Sequence, residues 1–237
     1  MRIYGFQKTT LLDYPGHIAA TVFTGGCNFR CPFCHNASLV LKTEKLPLIP
    51  VREVLAHLEK RKGILEGVCI TGGEPTLEKG LKQFILQCRE FGYLVKLDTN
   101  GYRPEVLSEL IQEGLLDYVA MDIKASLINY GAAAGCPDID TEKIRESIRL
   151  LRTSGIAYEF RTTAVKGLHT VKEFEEIGKL LSGSSLYCLQ AFRESEDILG
   201  QNTSRVPMKS FSAQEMEQMA ADAGKYIDKV ILRGIDQ

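Results

Sequence analysis

The chain has 237 residues, of which 44% are hydrophobic and 25% charged, and its formal net charge at pH 7 is −1. A charge this close to zero gives no long-range attraction to nucleic acid or to an anionic membrane, and no apolar run approaches the roughly 18 residues that cross a bilayer. These properties argue against nucleic-acid-binding and membrane-spanning classes and favour a cytoplasmic globular protein.

In chain order, residues 1–16 are predicted to be an irregular lead-in that ends in a turn. Short apolar runs rich in β-branched residues then alternate with amphipathic stretches, and this pattern indicates strands followed by helices. The predicted strands are 17–24, 67–71, 93–98, 116–122, 156–165, 186–192 and a short last one at 229–233. The predicted helices are 51–63, 77–91, 104–113, 141–153, 171–181 and 213–226.

Six strand-then-helix units predict parallel strands joined by helical crossovers. No composition break marks a linker, so residues 1–237 are predicted to form a single domain. Since six units are too few for a closed eight-unit barrel, we expect an α/β fold of the partial (βα)6 TIM-like type, with outer helices around parallel strands. An open doubly wound sheet is the structural alternative, and periodicity alone does not separate the two.

Polar and glycine-rich stretches follow the predicted strands where each strand ends. They are the cysteine-bearing stretch 24–36, then 71–75, 98–101 and 122–124, with Arg161 inside the fifth strand. In both candidate folds ligands bind at the carboxyl ends of parallel strands. We therefore expect these five stretches to form one active site.

The stretch 24–36 carries three of the seven cysteines, Cys27, Cys31 and Cys34, spaced C-x3-C-x2-C. Such a pattern would arise by chance in roughly 0.6% of chains with this cysteine content. A structural zinc site needs four ligands, and His35 is the candidate for the fourth; that interpretation describes a non-catalytic binding module. A [4Fe–4S] cluster is the favoured alternative, because three cysteines hold three corners and leave one iron open to a small molecule.

The cysteine loop, with Phe33 as the aromatic residue before Cys34, resembles that of the radical S-adenosylmethionine (radical SAM) superfamily. The stretch Gly72-Gly73-Glu74 after the second strand resembles the cofactor-binding stretch of the same family, so all three residues are expected at the cofactor. The resemblance implies a [4Fe–4S] cluster whose open iron binds S-adenosylmethionine and whose electron releases a 5′-deoxyadenosyl radical. Gly72 and Gly73 would let the backbone approach the methionine ammonium, and Phe33 would lie beside the adenine.

Within that superfamily the chain is most similar to activating enzymes of glycyl radical enzymes, in particular the group that activates anaerobic ribonucleoside-triphosphate reductase. The resemblance rests on residues 11–16, 34–36, 98–101 and 122–124. It implies hydrogen abstraction from a glycine of a partner enzyme, with flavodoxin or ferredoxin as electron donor. A radical SAM enzyme that acts on a small molecule or peptide, such as 7-carboxy-7-deazaguanine synthase, is the alternative.

In activating enzymes of the pyruvate formate-lyase type, two of these stretches form a monovalent cation site. By resemblance, its ligands here would be Asp98, Thr99, Asp122 and the carbonyl of Ala120. Asn100 or Thr99 would hydrogen-bond S-adenosylmethionine, and Lys124 and Arg161 would lie near the cofactor or the substrate peptide.

The chain departs from that pattern after the sixth strand, where Ala191 and Arg193 replace a proline and a histidine. The resemblance therefore does not extend to a cofactor contact from this strand. The polar segment 194–212 is too long for a routine crossover, and we predict that it contributes to a partner-docking rim. No cysteine-rich insertion follows the loop, so we expect no additional clusters. The remaining cysteines, Cys69, Cys88, Cys136 and Cys188, are predicted to be small buried apolar residues.

Overall fold

The structure is a computed structural model that describes residues 1–195, 198–200 and 207–235. Within these ranges no helix combines the length and apolar character needed to cross a lipid bilayer. The chain divides into two compact units: residues 1–28, 38–120 and 154–157 form the first, and residues 29–37, 121–153 and 158–237 form the second. The single domain proposed from composition stays a prediction.

The first unit is built on four strands: β1 (Ile3–Thr10), β2 (Ala19–Thr24), β3 (Gly67–Gly72) and β4 (Leu94–Thr99). β1 pairs antiparallel with β2, whereas β2, β3 and β4 are parallel neighbours. Helices follow these strands: α1 (Ala37–Leu41), α2 (Val51–Lys60), α3 (Leu81–Glu90) and α4 (Pro104–Gln112). Proline in the first turn of α4 is favourable, because its fixed φ suits a helix start and the amide there has no intrahelical acceptor.

The N-terminal segment corrects the prediction of an irregular lead-in, because residues 3–10 form β1. Only the two ends of this strand, Ile3 and Thr10, are buried, and its middle is partly or fully exposed. The strand therefore lacks the apolar alternation by which a half-buried strand is recognised from sequence. Its position is defined by pairing with β2, which is a long-range property.

Strand β5 (Tyr118–Asp122) begins in the first unit and ends in the second. The second unit continues with α5 (Tyr130–Ala134), α6 (Thr141–Thr153), β6 (Ala157–Ala164), α7 (Glu173–Leu180), β7 (Tyr187–Ala191), α8 (Ala213–Ala223) and β8 (Val230–Arg233). Its strands β6, β7 and β8 are parallel neighbours, with Arg161 opposite Cys188 and Cys188 opposite Ile231.

All seven predicted strands are confirmed to within two residues at each end. The predicted helix 77–91 is wrong at its start, because Pro75–Leu77 form a 3-10 turn and α3 begins at Leu81. The side chain of Glu74 accepts the amide of Thr76 and caps that turn. Three of the scattered cysteines, Cys69, Cys88 and Cys188, are fully buried as predicted, whereas Cys136 is half-buried.

Candidate active site

In the first unit, Gly72 and Gly73 lie against the backbone that leads into the cysteine loop. The amide of Gly73 donates to the Thr24 carbonyl at 2.9 Å, and the amide of Glu74 donates to the Gly26 carbonyl at 2.8 Å. A Cβ on Gly73 would stand 2.0 Å from the Gly26 oxygen, and a Cβ on Gly72, whose φ is 120°, would stand 2.4 Å from the Thr24 oxygen. Both positions therefore require glycine for the approach of two backbones, independently of any cofactor.

Glu74 is 1% exposed and bridges the ends of β3 and β4. Its carboxylate accepts hydrogen bonds from the Thr76 amide at 3.1 Å, the Thr76 hydroxyl at 2.5 Å, the Thr99 hydroxyl at 2.7 Å and the Asn100 amide at 2.7 Å. Burial raises the pKa of Glu74, and these donors oppose that increase. The cofactor contact predicted for Glu74 stays a prediction; in the structure its carboxylate positions Thr99 and Asn100.

Asn100 is buried, and its side chain has a fixed orientation. Its Oδ1 accepts the Tyr102 amide at 3.0 Å, while its Nδ2 donates to Oδ1 of Asn28 at 2.8 Å and lies 3.8 Å from the Sγ of Cys27. Asparagine amides commonly make such short-range bonds to the backbone two residues on. The result is an N–H donor directed at the first cysteine of the loop. Sequence reasoning missed Asn28, because a bond from the cysteine loop to β4 is not a local pattern.

We expect Asn100→Ala to make the reduction potential of a bound cluster more negative. Hydrogen bonds to cluster ligand sulfurs stabilise the reduced, more negatively charged state, and this variant removes one such donor. The chain should also lose about 1–3 kcal/mol of stability, because Asn28 and Tyr102 lose buried partners. A redox titration followed by electron paramagnetic resonance measures the potential. Asn129→Ala, at an exposed position without a side-chain capping bond, is the control, and equal potentials in both variants would contradict the prediction.

Asp98 and Asp122, the carboxylates of the predicted cation site, each have cationic side chains beside them. Asp98 is hydrogen-bonded by the Lys96 ammonium in the first unit. In the second unit, Lys124 Nζ lies 3.1 Å and Arg161 Nε 2.8 Å from the oxygens of Asp122. Ala120 is fully buried. The cation site stays a prediction, and its two carboxylates have protein counter-charges.

In the second unit the cysteine loop contacts α5. The amide of Arg30 donates to the Ala134 carbonyl at 2.8 Å, and the amide of Cys34 donates to the Cys31 carbonyl at 3.0 Å. Gly135 ends α5 with a φ of 64°, and a Cβ there would stand 2.2 Å from the Arg30 oxygen. This glycine therefore permits both the left-handed helix end and the close approach of the loop.

The segment 198–200 also binds the cysteine loop. The amide of Leu199 donates to the Cys34 carbonyl at 3.0 Å, and the amide of Gly200 donates to the Pro32 carbonyl at 2.7 Å. These residues belong to the segment 194–212 that we predicted to dock a partner, of which 196–197 and 201–206 lie outside the described residues. The docking role stays a prediction, whereas the described part has a structural role in holding the loop.

Cys31 lies in a mixed environment of burial and charge. Burial raises the pKa of its thiol to about 11, and the nearby Lys124 ammonium opposes this increase. Burial also acts on Asp122, but Arg161 and Lys124 more than offset it and hold the Asp122 pKa at about 2. Burial lowers the Lys124 pKa less than Asp122 and Cys31 raise it, so Lys124 remains charged. The charges predicted to lie near the cofactor thus form one ion-paired group in this unit.

The ion pairs of Asp122 should make the stability of the fold depend on pH in the acidic range. Because the folded pKa is about 2 and the ordinary value 3.8, the ionised carboxylate stabilises the fold above about pH 4, and this contribution is lost as pH falls towards 2. The expected contribution is about 1–2 kcal/mol. Denaturant unfolding of the wild type and Asp122→Asn across this range measures it. A stability difference that does not shrink on acidification would refute the assignment.

Phe33 and His35, within the cysteine loop, pack on aromatic neighbours. The Phe33 ring stands edge-to-face with buried His169, 6.2 Å between centroids. His169 Nδ1 accepts the Val165 amide at 3.0 Å, so its Nε2 donates to the Lys124 carbonyl at 2.8 Å. The Nε2 of His35 contacts the Arg193 carbonyl at 2.7 Å. The Arg193 stretch after β7 thus contacts the cysteine loop through its backbone.

Among residues 1–195, 198–200 and 207–235, no three His, Cys, Asp or Glu side chains are gathered around one metal-ion position. A [4Fe–4S] cluster does not need ligands that converge on a single ion, because each cysteine thiolate binds a different iron atom of the cluster. Cys27 has the Asn100 amide near its sulfur, and Cys31 has the Lys124 ammonium nearby. Both neighbours stabilise a thiolate, so these residues fit the cysteine ligands of a cluster.

A family model described as the radical SAM superfamily matches residues 21–181. The chain is 33% identical to a Methanocaldococcus jannaschii protein named as a candidate glycyl-radical enzyme activating enzyme, over 99% of this chain and 96% of that protein. It is 30% identical to the 7-carboxy-7-deazaguanine synthase of Methanopyrus kandleri, over 66% of this chain and 70% of that protein.

Among solved structures, Streptococcus suis SuiB bound to S-adenosylmethionine matches with a TM-score of 0.66 and 13% identity over 89% of this chain. The chain spans about half of SuiB, 49% of its length, and at this identity the likeness shows the fold alone. The predicted fold class, an α/β partial barrel of the (βα)6 type, is confirmed. Because the family model covers more than half of the sequence and a relative matches it from end to end, the chain belongs to the radical SAM superfamily.

Proposed function

We propose that the protein activates a glycyl radical enzyme, with anaerobic ribonucleoside-triphosphate reductase as the partner. The observation that carries the proposal is the end-to-end similarity to the Methanocaldococcus jannaschii protein, at 33% identity. Cysteine-loop residues 34–36 and strand-end residues 98–101 and 122–124 resemble the same group of activating enzymes.

In this reaction a bound cluster would supply the one electron that converts S-adenosylmethionine and a glycine Cα–H of the partner into methionine, 5′-deoxyadenosine and a glycyl radical. Cys27, Cys31 and Cys34 are the proposed thiolate ligands. Asn100 donates a hydrogen bond towards the Cys27 sulfur, and Lys124 offsets the negative charge of ionised Cys31.

The remaining residues have proposed roles in binding S-adenosylmethionine. The cofactor is a zwitterion with a sulfonium and an adenine, so it needs hydrogen-bonding groups, charge partners and an apolar face. The residues proposed to supply these are Phe33, Gly72, Gly73, Thr99, Asn100, Lys124 and Arg161. Glu74 is proposed to act indirectly, since its buried carboxylate positions Thr99 and Asn100.

The test is anaerobic incubation of the iron-reconstituted protein with a reductant, S-adenosylmethionine and candidate glycyl radical enzymes. We expect the doublet of a glycyl radical in the electron paramagnetic resonance spectrum of anaerobic ribonucleoside-triphosphate reductase, with one 5′-deoxyadenosine formed per radical. Flavodoxin and ferredoxin are the proposed physiological donors and replace the chemical reductant in parallel reactions. Cofactor cleavage without a protein radical in any candidate would reject the activase function.

A second function is favoured by the similarity to 7-carboxy-7-deazaguanine synthase. In that case the 5′-deoxyadenosyl radical would act on a small molecule, or in a variant of the reaction on a peptide, and no partner enzyme would be needed. Mass spectrometry of the products formed from candidate substrates separates the two functions, because only the second consumes a small molecule or modifies a peptide while S-adenosylmethionine is cleaved.

A further inference from the structure

Lys96 is a charged side chain in the interior of the first unit. It lies in β4, two residues before Asp98, so that both side chains are on the same face of the strand. The Lys96 side chain is only 2% exposed and that of Asp98 is 15% exposed. Lysine is almost never buried to this extent unless its charge is compensated.

The surroundings of the Lys96 ammonium supply that compensation. Its Nζ hydrogen-bonds the Asp98 carboxylate, lies 3.7 Å from the Sγ of Cys69 and lies 5.9 Å from the ring centroid of Tyr118. Cys69 is directly opposite Lys96 in the register of β3 and β4. A carboxylate, a soft sulfur and an aromatic face all attract a positive charge, and an ammonium has three donors to direct at them. The neighbours of Nζ thus form a cation site that is occupied by a side chain.

This arrangement bears on the monovalent cation that family resemblance places at Asp98. A metal ion bound to the same carboxylate would be close to the ammonium and would be repelled by it, whereas the ion pair is already neutral. Thr99, a second predicted ligand, uses its hydroxyl to donate to Glu74 at 2.7 Å and to accept the Gly101 amide at 3.1 Å.

We propose that the Lys96 ammonium takes the place of a monovalent metal cation beside Asp98, so that this enzyme needs neither K⁺ nor Na⁺. Lys96 is a positioning residue here: its hydrogen bond holds the Asp98 carboxylate in place without a dissociable ion. The inference does not depend on which substrate the radical attacks, and its test uses no activity measurement.

The test compares the anaerobically reconstituted holoprotein in KCl, NaCl and choline chloride at equal ionic strength. The readouts are thermal unfolding and calorimetric binding of S-adenosylmethionine. For the wild type we expect the same midpoint and affinity in all three salts. For Lys96→Met we expect a higher midpoint and several-fold tighter binding in KCl or NaCl than in choline chloride, because an ion can then occupy the site.

Two further variants control this result. Lys96→Met combined with Asp98→Asn removes both charges and should be indifferent to the salt, as should Lys179→Met at an exposed position. The proposal is overturned if K⁺ or Na⁺ binds to the wild type with a measurable heat of binding or raises its unfolding midpoint relative to choline. It is also overturned if Lys96→Met responds to the choice of salt as little as the double variant does. If Lys96→Met folds in KCl but not in choline chloride, the proposal is supported; if it folds in neither, the wild-type titration decides.

Discussion

Simultaneous replacement of Cys27, Cys31 and Cys34 by alanine is expected to abolish both the brown colour of the reconstituted protein and the cleavage of S-adenosylmethionine. The three thiolates are the proposed ligands, and no electron reaches the cofactor without a cluster. Iron and sulfide per chain should fall to the background of the assay, and 5′-deoxyadenosine should not form. Anaerobic reconstitution, absorption spectroscopy and product chromatography measure these quantities.

The matched control is Cys88→Ala, which removes a sulfur that is fully buried in α3. Burial raises the pKa of Cys88 to about 12, so its thiol is a poor competitor for iron. This variant should lose about 1 kcal/mol of stability to the missing sulfur, with full colour and cleavage. Retained cleavage in the triple variant would refute the cluster assignment, and a colourless wild type after reconstitution would revive the zinc interpretation.

Gly73→Ala should also have a large effect on stability and iron content, although Gly73 carries no functional group. Its Cβ would stand 2.0 Å from the Gly26 oxygen, in the backbone just before Cys27. Real Cβ atoms do not approach an oxygen this closely, so either β3 or the start of the cysteine loop must move. The movement would also break the bonds from Gly73 to Thr24 and from Glu74 to Gly26. We expect a loss of roughly 3 kcal/mol or more and a reduced iron content.

Gly224→Ala provides the control for this substitution. Gly224 follows α8 with a φ of −64°, and a methyl group added there would have a helical carbonyl oxygen as its nearest neighbour, at 3.0 Å. An alanine is compatible with this backbone, so stability should change by less than about 1 kcal/mol. Denaturant unfolding and iron analysis on both variants make the comparison. Wild-type stability and iron content in Gly73→Ala would show that the two backbones can separate freely.

The strands and their alternation with helices along the chain were predictable, because the apolar runs and the helical periodicity between them are local in the sequence. The cysteine loop was recognisable for the same reason, since its three cysteines lie within eight residues. β1 was not predictable, because only its two ends are buried and its position depends on its pairing with β2.

The chemistry of individual side chains was less predictable than their position. The contact of Glu74 with the cofactor stays a prediction, but the four protein donors that its carboxylate accepts were not predictable, because they come from a different strand end as well as its own. The burial of Lys96 was not predicted, because a single lysine in a strand usually faces solvent. Its register with Cys69 and its distance from Tyr118, both long-range properties, show that it is enclosed.

The bonds from Leu199 and Gly200 to the cysteine loop have a consequence for the order of events during synthesis. Cys34 leaves the ribosome 165 residues before Leu199, so the nascent chain contains all three cysteines long before it contains the segment that binds their loop. Proteins are synthesised from the N-terminus, so an early segment can contact a later one only after the later one has been made. The loop therefore acquires its bonds from Leu199 and Gly200 only after residue 200 has been synthesised, and iron delivered earlier would meet a cysteine loop that lacks these two bonds.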